Sequence, residues 1–90
     1  MKKSAIMLEQ AKETIMERGE SYGAPNENFE RIADLWIALL GDDTLKRPLS
    51  SQDVAAMMIC LKLARLASTK GHVDSMLDIC GYAALMSELD

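Results

Sequence analysis

Two cations stand where this sequence is otherwise most apolar. Residues 54–67 read VAAMMICLKLARLA, and Lys62 and Arg65 are the only charges in that run. Three apart, they share one face of a helix. A charge in an apolar helix is costly unless an opposite charge or a ligand answers it. An internal answer is available if Gly71 marks the turn between two helical stretches. A hairpin about that point sets position 65 near 78 and position 62 near 81. Arg65 then pairs with Asp78, while Lys62 meets no acid and becomes the freer cation, a candidate contact for an anion. Asp74 and Asp78, four apart near a helix start, complement the helix dipole in their plainest role. The alternative is that they hold Mg²⁺ or orient Arg65.

The segment RGESYGAPNENF at residues 18–29 is the other place where chemistry concentrates. Its two glycines permit tight turns and close backbone approach, and Pro25 stiffens the entry to the next helix. Tyr22 suits stacking on a base, and Asn26 or Asn28 suits either capping the helix or hydrogen-bonding a ligand. Arg18 completes the polar set. A structural turn and a binding loop remain equal readings of this stretch.

Other residues of reactive type read as structural. Glu27, Glu30 and Asp34 share one helix face, as a solvated surface or, alternatively, as metal ligands. His72 is the only histidine, so no triad or multi-histidine metal site can be assembled, and it reads as a turn residue. Cys60 and Cys80 lie in apolar runs without CxxC spacing, which points to buried reduced thiols rather than a disulfide or metal pair.

The elements that position these groups are helices. Hydrophobic residues make up 49% of the chain, aromatics 4%, and there are seven methionines, a composition that suits helices over sheets. Glycines 19, 41 and 71 stand where helices would stop in the left-handed conformation, giving helices over residues 4–18, 26–40, 51–69 and 73–89. Ser50 and Asp53 have capping-box spacing. Short connections favour an antiparallel four-helix bundle in a single domain, residues 1–90. Area scaling for 9.9 kDa gives a folded surface of roughly 5,200 Å², which leaves a monomer marginal. The third helix is apolar nearly all round, and three short neighbours cannot cover it. A homo-oligomer is the expectation.

Charge narrows the partners. A net charge of −4 argues against binding duplex nucleic acid, which needs a basic face to displace counterions. No signal peptide is expected, and the longest uncharged stretches, residues 54–61 and 79–87, are too short to span a bilayer. The expected compartment is the cytoplasm.

Read together, Arg18-Gly19-x-x-Tyr22-Gly23-x-Pro25-x-x-Asn28-Phe29, Lys62-x-Ala64-Arg65 and Asp74-x-x-x-Asp78-x-x-Gly81-Tyr82 resemble a family of small phage and prophage helical proteins of unknown function. The likeness covers about residues 8–86, with Met76 standing where the family usually has Trp. It implies a helical fold and a phage origin, which would put the compartment in the host. It brings no activity. A looser likeness is to MazG-like nucleotide pyrophosphohydrolases, small helical oligomers that hold Mg²⁺ between an ExxEE-type helix and an ExxD helix. Here Lys62 and Arg65 stand where acids would be wanted, which removes the means of activating water but still allows phosphate to be held directly.

The expectation is therefore a phage accessory protein that binds a nucleotide or nucleotide-derived signal between subunits without catalysis, a sponge for a host defence messenger. Its candidate ligand-binding residues are Arg18, Tyr22, Asn28, Lys62, Arg65, Asp74, Asp78 and Tyr82, with no cofactor. One alternative is a Mg²⁺-dependent pyrophosphohydrolase using Glu27, Glu30, Asp34, Asp74 and Asp78. The other is a helical inhibitor of a host factor.

Overall fold

A computed structural model of the chain describes residues 2–22, 24–41 and 43–89, and the side chains of all of these except Glu20, Ser21 and Tyr22. The described residues are helical without a strand. They form α1 (Lys3–Tyr22), α2 (Pro25–Leu40), α3 (Ser51–Ser68) and α4 (Val73–Leu85), with a 3₁₀ turn at Met86–Glu88.

The ends of these helices follow from local chemistry. Gly41 and Gly71 have φ of 86° and 79°, where a Cβ would be strained, and each closes the segment after a helix. Ser50 and Asp53 form the anticipated capping box. The Ser50 Oγ accepts from the Asp53 backbone N–H, and the Asp53 carboxylate accepts from that of Ser50. Arg47 donates twice more to that carboxylate, at 2.5 and 2.9 Å. His72 caps α4, its Nδ1 accepting from the backbone N–H of Ser75 at 3.3 Å. The histidine read as a turn residue thus has a defined task.

Gly19 does not end α1. The helix runs on through Tyr22, because one interior glycine costs only about 1 kcal/mol and nothing else stops the chain there. The break comes at Ala24–Pro25. Proline disfavours helical backbone in the residue before it, and Ala24 is extended at ψ 129° with Pro25 opening α2. The long loop expected between the first two helices is therefore shorter, since α1 continues to Tyr22 and α2 begins at Pro25.

α4 packs against both α3 and α1, α2 lies on α3, and α1 barely meets α2. The core sits where α2, α3 and the chain end converge: Phe29, Ala33, Val54, Ala55 and Leu89 are buried, with Ile32, Trp36 and Tyr82 packed around them. Polar ties close the same region. Gln52 donates to the carbonyls of Met86 and Leu89 at 2.9 and 3.1 Å, and the Ser51 hydroxyl donates to Asn26 at 3.1 Å.

Burial stops short of what the apolar pattern suggests. On α2, Leu35, Leu39 and Leu40 are exposed, and Met57, Leu61 and Leu63 of α3 are exposed too. Cys60, expected to be buried, is exposed, while Cys80 is half-buried; both are free thiols. The surface is 6574 Å², above the roughly 5,200 Å² that scaling assigns to a compact chain of this mass. The radius of gyration, 14.5 Å, likewise exceeds the roughly 12 Å typical of this length.

Candidate functional site

Because α1 and α2 hardly touch, a cleft of about 740 Å³ opens between them, floored by α4 and by Met58 of α3. Its wall is mainly apolar, with Ile15, Ile32, Leu77 and Leu85 among the residues exposed to it. Two rings stand in it: Phe29 and Tyr82, centroids 6.1 Å apart and inclined at 43°. The polar points are few: Thr14, Arg18, Asn28, Asp78 and Glu88. A cavity of this size and polarity falls in the range that takes small organic ligands.

The glycines of the cleft are informative. Gly19 of α1 and Gly81 of α4 both line it. Both lie inside helices, neither has a positive φ, and a Cβ added at either would meet nothing within 4 Å. Alanine at such positions would favour the helix by about 1 kcal/mol each. The sequence forgoes that gain on two helices that face one space, and the absent side chains leave the space wider.

The electrostatics turn on Asp78. Its Oδ2 lies 3.0 Å from Lys62 Nζ, with both side chains about four-fifths buried. Its Oδ1 lies 3.8 Å from Arg18, whose side chain is 55% exposed. Lys62 was expected to be the freer cation and Arg65 the partner of Asp78; the arrangement is the reverse. α3 ends at Ser68 and α4 begins at Val73, so the hairpin is centred midway between Lys70 and Gly71, earlier than the pairing of 65 with 78 requires. That shift moves the acid about one turn along α3, onto Lys62. Arg65 is exposed, and among the described residues it makes no ion pair.

Four of the eight candidate ligand-binding residues thus meet at the cleft: Arg18, Asn28, Asp78 and Tyr82. Lys62 touches it only through Asp78, while Arg65 and Asp74 are exposed outside its wall. The Tyr22 side chain lies outside the described residues, and so does Gly23. Thr14 and the ring of Phe29 were not among the candidates, and neither carried a signal beyond helix pattern. Glu27, Glu30 and Asp34 form the solvated outer face of α2, with Glu30 accepting from the Asn26 amide at 3.1 Å. Among the described residues no three His, Cys, Asp or Glu side chains stand close enough to share a metal ion. No helix there is long and apolar enough to cross a membrane.

The profile of a family described as a domain of unknown function, DUF6378, matches residues 6–90. The chain belongs to that family. Within phage proteins it is similar to the Gene 55 protein of Mycobacterium phage D29, 40% identical over 87 residues that cover 96% of this chain and 54% of that protein. It is also similar to the Gene 55 protein of Mycobacterium phage L5, 41% identical over 75 residues covering 81% and 44% respectively. This DUF6378 chain spans about half the length of the curated relatives it matches. No solved structure matches it significantly.

Proposed function

We propose that this chain is a phage accessory protein that binds, without turning over, a small molecule combining a flat ring with an anionic group, of which a nucleotide or nucleotide-derived signal is the type. The ring lies in the cleft against Phe29 and Tyr82, and the polar edge meets Asn28 and Thr14. The observation that carries this reading is the pair of helix-interior glycines, Gly19 on the α1 wall and Gly81 on the α4 floor of one apolar cleft.

The anion contact passes from Lys62 and Arg65 to Arg18. Lys62 is held by Asp78 at 3.0 Å, whereas Arg18 reaches the same carboxylate only at 3.8 Å and is half exposed. It can turn to a phosphate without leaving a buried charge unpaired. In this reading the four helices close as an antiparallel bundle that assembles with copies of itself, and the protein sequesters a host messenger. No cofactor takes part.

A Mg²⁺-dependent pyrophosphohydrolase is the weaker reading, since Glu27, Glu30 and Asp34 face solvent and join no cluster with Asp78. An inhibitor of a host factor draws support from the exposed Leu35 and Leu39.

Titration calorimetry of the full chain against nucleoside mono-, di- and triphosphates, cyclic nucleotides and ADP-ribose-type molecules tests the proposal. At least one should bind, Arg18→Ala should weaken it tenfold or more, and Gly81→Leu should abolish it with helicity retained. Silence across the panel ends the ligand reading.

A further inference from the structure

The uncovered face of α3 has an unusual composition. Met57, Cys60, Leu61 and Ala64, spaced i, i+3, i+4 and i+7, form one stripe, flanked by Leu63 and Ala67, and all six are exposed. On a 100° wheel this arc holds no charge along residues 54–68 apart from Arg65 at its edge, while Lys62 lies diametrically opposite, turned inward to Asp78. Alanine and cysteine at 60, 64 and 67 would let another helix approach closely, near the short end of the 8–10 Å range.

We propose that this face is where a second copy of the chain docks, α3 against α3, in an antiparallel pair about a two-fold axis near Cys60 and Leu61. Three observations select that occupant. The chain exposes roughly 1,400 Å² more than a compact monomer of its mass, set against 6574 Å² in all; a standard interface removes about 800 Å² per partner, so one such contact accounts for more than half of the excess. The stripe is uncharged, and an identical uncharged stripe complements it without leaving a buried ion unanswered. A two-fold axis places the same patch on both sides, and the antiparallel sense keeps the two Arg65 guanidinium groups at opposite ends of the contact, where a parallel pair would bring them together.

The inference rests on the self-assembly proposed above and names its surface, and the two can fail separately. Sedimentation of the full wild-type chain from about 1 to 100 μM reports assembly: a mass of two chains or a multiple of two is expected at the upper end. Thiol labelling over the same range reports the face, with Cys80 as internal reference. The Cys60 rate should fall at least tenfold as the dimer forms, while the Cys80 rate stays within twofold. Leu61→Glu should hold the chain at one-copy mass with Cys60 labelled fast at every concentration, whereas Leu39→Glu on α2 should leave dimer and protection intact. Should Leu61→Glu fail to fold, the wild-type labelling decides alone. A monomer at 100 μM overturns both assembly and face. An oligomer whose Cys60 labels at a constant rate, or that Leu39→Glu dissolves, overturns the face and leaves assembly standing.

Discussion

The ammonium of Lys62 lies 3.0 Å from the carboxylate of Asp78, and the two side chains are only 18% and 19% exposed. This pair ties the middle of α3 to the first half of α4 at the edge of the cleft. It also settles which cation is spare, because Arg18 shares the same carboxylate at a looser 3.8 Å.

Removing one partner of a largely buried pair leaves the other charge unanswered. Asp78→Ala should cost about 2 kcal/mol, below the figure for a fully buried pair because a fifth of each side chain still meets water. Lys62→Met should cost less, since Met keeps the apolar stem and Arg18 remains beside Asp78. Urea unfolding of both variants and of the double variant gives the coupling. Equal and additive losses would contradict the pairing.

Stability should also carry an acid signature from the loop before α3. Hydrogen bonding from Arg47, then from the Ser50 backbone N–H, holds the Asp53 carboxyl well below the usual carboxylate range. A carboxyl depressed on folding stabilises above its unfolded pKa of about 3.9, and that contribution is lost as pH falls through the lower folded value. Urea midpoints measured from pH 6 down to pH 2 should therefore fall less steeply for Asp53→Asn than for the native chain. The variant should also start lower at pH 6.

Glycine replacement separates stability from binding. Gly19→Ala and Gly81→Ala should each stabilise by up to about 1 kcal/mol, a rise of several degrees in Tm for a chain of this length. Both have open space for the added methyl. A fall in Tm would mean that the cleft walls are closer than described.

The cap of α4 offers a clean test of a histidine acting through its lone pair. His72 Nδ1 accepts from Ser75 N–H at 3.3 Å and lies 2.7 Å from the Ser75 hydroxyl. His72→Ala should cost about 1 kcal/mol. His72→Asn, which keeps an acceptor suited to that position, should recover most of it.

Much of the fold is legible along the chain. Three of four helix starts follow from Pro25, the Ser50–Asp53 box and the turn at Gly71, signals that act within four residues. The solvated face Glu27, Glu30, Asp34 is equally local. Gly19 misleads for a physical reason: glycine permits a helix stop without enforcing one, and the stronger restraint is the proline that follows.

What the sequence by itself determined is the helical class, the helix end at Gly41, the turn at Gly71, and the presence of cations within an apolar helix. Each depends on neighbours a turn or so away. Only the tertiary structure decided which cation meets Asp78, because a shift of one turn in the α3–α4 hairpin exchanges Arg65 for Lys62. It alone decided that Gly19 and Gly81, 62 positions apart, line one cleft, and that the chain's own helices leave Cys60 and Leu61 uncovered. Those outcomes depend on where helices stop covering one another, which periodicity within a single helix does not encode.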